Sequence, residues 1–187
     1  IALTVGGIIG FLNGFFTIKM KMNAFIVTLA SYIWVRGLVV AISGGRSAQD
    51  LSPSLRVIGI EQFLYVPLIA WIAILSFIVF SFIMSRTPFG RHIMLVGGNA
   101  VAAFRAGIKV DRLMFISFIL AGAIAGLAGW LLAIRTSGAT ANLGTGMLFN
   151  AFAAVVIGGV SLKGGVGKLP GVYAGVLLLS SIHTAIN

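Results

Sequence analysis

Three carboxylates, two imidazoles and no thiol are all that the 187-residue chain offers for acid–base, nucleophilic or metal chemistry. Asp50 and Glu61 stand eleven residues apart in a polar stretch, and Asp111 stands alone. Paired carboxylates act as general acid and base only when they converge on one substrate; this spacing reads as two solvated acids. His92 and His183 are distant in sequence and have no cysteine beside them, so no metal-ligand set forms. Each reads as a loop or helix-surface residue. The glycine-rich run 158–168 ends in Gly167-Lys168, which invites a phosphate-binding reading. A P-loop needs a glycine five residues before that Gly and Ser or Thr after the Lys; Leu162 and Leu169 hold those places. Gly97-Gly98 belongs to no spaced dinucleotide fingerprint, and there is no nucleophile elbow and no His-Glu zinc helix. The residues predict a chain that is not an enzyme and binds no cofactor or metal itself.

Composition explains why the polar inventory is so small. The chain is 59% hydrophobic and 9% charged, with mean hydropathy +1.13. A soluble domain carries roughly 25% charged residues, so water is not its main solvent. The net charge of +10 would suggest nucleic acid in a soluble protein. Here the aromatics lie in apolar runs and not on a basic stacking face, so no nucleic-acid partner is expected. The chain opens at Ile1 inside an apolar run with neither Met nor charged leader and fails the signal-peptide pattern; further sequence is expected at the amino end.

The apolar runs approach the ~20 residues needed to cross ~30 Å of hydrocarbon. They predict an all-α polytopic membrane protein, one transmembrane domain with spans at about 1–18, 22–42, 63–85, 113–134, 147–162 and 169–187. Gly6, Gly10 and Gly14 recur every four residues and let another helix approach closely. Ala121, Ala125 and Gly129 form one small-residue row on the fourth span, and Gly122 and Gly126 another. Arg36 inside the second span reads as a snorkelling or structurally paired charge. Tyr65 suits the interfacial belt. The stretch 147–158 is too short to span easily and ends in Gly158-Gly159, so it reads as a re-entrant or broken helix.

If successive connections alternate sides, one side receives Lys19, Lys21, Arg86, Arg91, Arg105, Lys109, Arg112, Lys163 and Lys168. The other receives Arg46, Arg56 and Arg135. The positive-inside rule makes the first side cytoplasmic; segment 86–112 then faces the cytosol and 43–62 the outside. Within 86–112, Gly98-Asn99-Ala100-Val101-Ala102-Ala103-Phe104-Arg105-Ala106-Gly107 reads as a short helix. Asn99 caps its start, and Gly107 takes the left-handed closing position.

The combined motifs resemble the carboxy-terminal part of a permease subunit of the ribose-type family of bacterial ABC sugar importers, whose members handle ribose, xylose, arabinose, galactose or autoinducer-2. The matching stretches are Ala24-Phe25-Ile26-Val27-Thr28-Leu29-Ala30 with Arg36-Gly37-Leu38, then Ser43-Gly44-Gly45-Arg46. Next come Thr87-Pro88-Phe89-Gly90-Arg91, Gly97-Gly98-Asn99 through Gly107-Ile108, and Val110-Asp111-Arg112. Last is Ala153-Ala154-Val155-Val156-Ile157-Gly158-Gly159 with Ser161-Leu162 and Gly164-Gly165-Val166-Gly167.

The resemblance implies a bundle of transmembrane helices in the bacterial inner membrane that pairs with a second permease subunit, identical or paralogous. It implies a cytoplasmic ABC ATPase that holds ATP and Mg, and a periplasmic or lipid-anchored sugar-binding protein outside. The family's coupling helix falls on Gly98, Asn99, Val101, Ala102, Ala103, Phe104 and Gly107. Val101 and Phe104 share one face, where an ATPase groove can receive them. The flanking arginines can meet acids of that partner or anionic lipid heads. With no acidic cluster for a cation, a neutral sugar is the expected cargo, moved by alternating access. Asn13, Thr28, Ser31 and Asn150 are candidates to line its path, or alternatively to form hydrogen-bonded pairs between helices. Gly158, Gly159, Gly164 and Gly165 are candidates for a gating or re-entrant loop. The competing readings are an ABC permease for branched-chain amino acids or nucleosides, and a secondary transporter or channel. The last would need an intramembrane ionisable group, for which only Arg36 is available.

Overall fold

The computed structural model describes residues 1–48, 62–63 and 66–186. Asp50, Arg56, Glu61 and Tyr65 lie outside the described residues. The helices are α1 (Ala2–Gly14, continued by a π-helical turn over Phe15–Lys19), α2 (Ala24–Ser43), α3 (Leu68–Arg86), α4 (Pro88–Gly98), α5 (Ala100–Arg105), α6 (Val110–Arg135), α7 (Met147–Ile157) and α8 (Leu169–Ile186). A two-residue pairing of β1 (Gln62–Phe63) with β2 (Val66–Pro67) precedes α3. The third helix therefore opens at Leu68, later than the expected 63. Pro67 lacks an amide donor and keeps Val66 extended.

Among the described residues, five helices are long and apolar enough to cross a membrane: the first with its π turn, α2, α3, α6 and α8. At 1.5 Å per residue, 18 residues reach about 27 Å and 26 reach about 39 Å. The chain is thus an all-α, multi-pass membrane protein. Few residues are buried among themselves: Val27, Ser31, Ala103, Ile134 and Ala154 are examples. Ile8, Ile26, Ile33, Leu75 and Phe82 are exposed. In water such a surface would drive aggregation; in a bilayer it meets lipid or partner helices. The eleven residues of α7 reach only about 16 Å, half the hydrocarbon thickness.

The described residues form two compact units, 1–73 with 114–143, and 74–113 with 144–187. In the first, the glycine stripe of α1 meets the Gly122/Gly126 row of α6 backbone to backbone. A β-carbon on Gly122 would lie 2.9 Å from both the N and the Cα of Gly10, and one on Gly6 would lie 3.1 Å from Gly126 Cα. Below this seam, Phe11 and Phe115 pack edge to face, centroids 5.1 Å apart. Ser31 of α2 donates to Asn13 of α1 at 2.5 Å. Arg36 of α2 donates to the Asn142 side-chain oxygen, and the Ala48 and Ala139 backbones exchange two hydrogen bonds of 2.9 Å.

In the second unit, α7 and α8 form a hairpin whose backbones also touch. A β-carbon on Gly158 would stand 2.7 Å from Gly171 O and from Val172 Cα. Gly175 packs against Ala154, so the row Gly171, Gly175 is the counterpart of the Ala154, Gly158 row. Phe77 of α3 lies against Tyr173 of α8, ring centroids 4.8 Å apart.

Candidate functional site

The basic segment is built by three consecutive capping events. Thr87 accepts the Gly90 amide as N-cap of α4, at 3.5 Å, while its hydroxyl donates back to Ile83 O at 2.6 Å. Pro88 takes the first helical position, where its missing amide donor costs nothing. Gly90 is buried, and a β-carbon there would sit 2.5 Å from Met84 Cα. Only glycine lets α4 fold back this closely on the end of α3. The stretch Thr87-Pro88-Phe89-Gly90-Arg91 is thus a sharp helix–helix turn.

Asn99 joins the next two helices. Its amide donates to Leu95 O at 3.0 Å and closes α4. Its side chain accepts the Ala102 amide at 3.0 Å and opens α5, while its carbonyl accepts from Ala103. At the other end Ile108 N donates to Ala103 O at 3.1 Å, and Gly107 turns with φ +82°. This is the left-handed closure that glycine adopts without a Cβ penalty. The helix between them is six residues, about 9 Å long.

Of its six residues Ala103 alone is buried. With Ala102 it borders a small cleft shared with Met94, Leu95 and Ile108. Val101 and Phe104 point away, 62% and 71% exposed. Arg91, Arg105, Lys109 and Arg112 of the same segment are exposed as well. Two bare apolar side chains on a fixed, capped helix, in a segment with exposed cations, present a compact knob to whatever lies beyond.

The other candidates fall differently. Asn13 and Ser31 come together as one hydrogen-bonded pair, and Ser31 is buried. Thr28 donates to Ala24 O and Phe25 O of its own helix. Asn150 is exposed on α7. Gly159, Gly164 and Gly165 all have positive φ, and Gly158 sits in the α7–α8 contact. Sequence reasoning did not single out Gly97 and Gly171 as contact points. The four-residue spacing of Gly171 and Gly175 was the available signal for the latter; Gly97 had none.

The architecture is that of an all-α, multi-pass membrane protein. The chain belongs to the family described as branched-chain amino acid transport system / permease component, which it matches over residues 1–187. It is 38% identical over 175 residues to the L-arabinose transport system permease protein AraH of Escherichia coli K12, covering 94% of this chain and 53% of that protein. It is 36% identical over 177 residues to the ribose import permease protein RbsC of Bacillus subtilis, covering 94% and 55%. To the autoinducer 2 import system permease protein LsrC of Klebsiella pneumoniae it is 32% identical over 182 residues, covering 97% and 53%. The chain thus spans little more than half the length of these relatives. No solved structure matches it.

Proposed function

We propose that the chain forms part of the translocation path of an ATP-binding-cassette importer for a sugar, a monosaccharide by preference, and is driven by an ATPase on another polypeptide. The observation that carries this reading is the capped α5 with Val101 and Phe104 bare on one face. A rigid helix end with two exposed apolar anchors suits a groove on a protein partner. The sugar assignment draws on relatives named for arabinose, ribose and autoinducer-2 transport. The family description leaves a branched-chain amino acid as the second reading of the cargo.

In this proposal the protein sits in the bacterial inner membrane, with 86–112 cytoplasmic and 43–62 outside. ATP and Mg act on the partner ATPase, and ATP-driven closure there moves α5 as a lever. A second permease subunit, identical or paralogous, completes the path, and a periplasmic or lipid-anchored binding protein delivers the cargo. The chain acts as a single transmembrane domain in which the short α7 and the following loop form a broken or re-entrant segment, with the 158–168 loop against the end of α4. Thr28 and Asn150 are proposed path residues. Asn13 and Ser31 reach cargo only when their mutual bond opens.

The test is Phe104→Asp in the assembled transporter. A buried anchor at an interface centre contributes more than about 2 kcal/mol, so ATPase recovered with the membrane-inserted permease should fall by more than about tenfold. Recovery at the normal yield would overturn the docking assignment. Thermal-shift screening of the cognate binding protein against sugars and branched-chain amino acids decides the cargo.

A further inference from the structure

One contact in the second unit joins the proposed docking helix to the α7–α8 hairpin. It is made by backbone alone. The end of α4, Gly97-Gly98, lies directly on the Gly164-Gly165 turn. A β-carbon on Gly97 would stand 2.5 Å from Gly165 N and 3.2 Å from its Cα. One on Gly164 would stand 2.8 Å from Gly97 O, and one on Gly165 2.5 Å from Gly98 Cα. Gly164 and Gly165 have φ of +88° and +76°, so the turn itself requires glycine.

Both sides of this seam are stiff. On one side, Gly98 is followed by Asn99, which closes α4 and opens α5 at once. On the other, the turn is closed by Ser161 N donating to Val166 O at 2.9 Å and Gly164 N to Ser161 O at 3.1 Å. It leads at both ends into the α7–α8 hairpin, whose helices touch through Gly158 and Gly171. Alongside the seam lies a cavity of about 860 Å³, bordered by Met84, Ser85 and Met94 on one wall and Val160, Val166 and Val172 on another. The cavity leaves room for the hairpin to pivot about the seam. A side chain between the two backbones would absorb a small displacement by changing rotamer. Bare backbones in contact have no such slack.

We infer that Gly97, Gly164 and Gly165 are positioning residues for coupling: they pass displacement of α5 to the α7–α8 hairpin. This rests on the docking of an ATPase at α5. It assigns the 158–168 loop to force transfer and not to cargo contact.

Two glycines supply the test. A β-carbon on Gly7 of α1 meets nothing within 4 Å, whereas one on Gly97 collides with the turn. Gly97→Ala and Gly7→Ala are compared in the full importer in proteoliposomes, reading ATPase co-purification, basal ATP hydrolysis and cargo moved per ATP. Both variants should retain the ATPase and its basal hydrolysis. Gly97→Ala should move roughly tenfold less cargo per ATP, a change of the size residues along a coupling route produce, and Gly7→Ala should stay within about twofold of wild type. Equal transport by the two variants overturns the seam. Should Gly97→Ala fail to insert, one extra glycine placed after Lys163 slackens the turn without adding a β-carbon. It should uncouple in the same way, and unchanged transport there also overturns the proposal. Phe104→Asp run in parallel keeps the readings apart: retained ATPase in that variant strikes at docking, whereas equal alanine variants strike at the seam alone.

Discussion

The Ser31 hydroxyl donates to the Asn13 side-chain oxygen across the α1–α2 contact, 2.5 Å away, with Ser31 buried. Each residue supplies what the other lacks in hydrocarbon, where an unmatched polar group costs several kcal/mol. The pair fixes the rotation of α2 against α1 at a level where neighbouring side chains offer only shape. It also means that the two groups are occupied by each other in this state of the protein.

Ser31→Ala should therefore lower stability by about 1 kcal/mol, and the double-mutant cycle with Asn13→Ala should return a coupling of about 0.6–1.7 kcal/mol. Unfolding in detergent micelles measures both. A coupling of zero would show that the bond contributes nothing to helix docking.

The α1–α6 seam makes a sharper distinction between adjacent glycines. A β-carbon on Gly6 or Gly10 runs into the backbone of α6, whereas one on Gly7 meets nothing within 4 Å. Gly6→Ala and Gly10→Ala should each destabilise by about 1–3 kcal/mol through overpacking. Gly7→Ala should be neutral or slightly stabilising, since Ala is the better helix former. Thermal melts of the three variants, purified identically, decide this. Equal melting points would mean that the helices can separate without loss.

How far these features could be read in the sequence depends on their range. The caps of α5 are local: Asn99 and Gly107 act on amides and carbonyls within four residues, so spacing alone located them. The stripes of α1 and α6 were visible as four-residue repeats, but repeats do not say which row faces which. Ala121, Ala125 and Gly129 looked as good as Gly122 and Gly126, yet Gly129 has nothing within 4 Å. The Asn13–Ser31 bond and the Gly97–Gly165 contact lie 18 and 68 residues apart in sequence. A lone polar or glycine residue carries no record of a distant partner. The late start of α3 had a readable cause in Pro67, whose effect on Val66 is local, but the apolar run masked it.

Asn99 gives a graded prediction. Replacing a cap by Ala costs about 1 kcal/mol, while Ser or Asp restores most of it. On a helix of six residues such a loss is a large part of local stability. Asn99→Ala should therefore reduce ATPase co-purification by roughly fivefold, and Asn99→Asp should recover it. If both variants lose the ATPase equally, Asn99 contributes through its amide itself and not as a cap.

Arg36 is the one cation within the interior of a described spanning helix, seven residues before the end of α2 at Ser43. An intramembrane arginine is a functional candidate by default because its burial is costly. Here its guanidinium donates to the Asn142 side chain and ties α2 to the segment that follows α6. A residue held for architecture and one held for cargo respond differently to the same change. Arg36→Met keeps the length and apolar stem of the side chain and removes charge and donor together. If the bond is architectural, Arg36→Met should lower the unfolding midpoint, with a coupling to Asn142→Ala of up to about 1.7 kcal/mol. Transport per correctly folded protein should then remain within about twofold of wild type. If transport collapses while the melting point holds, the charge itself faces the path, and the cargo must include a group that recognises a guanidinium.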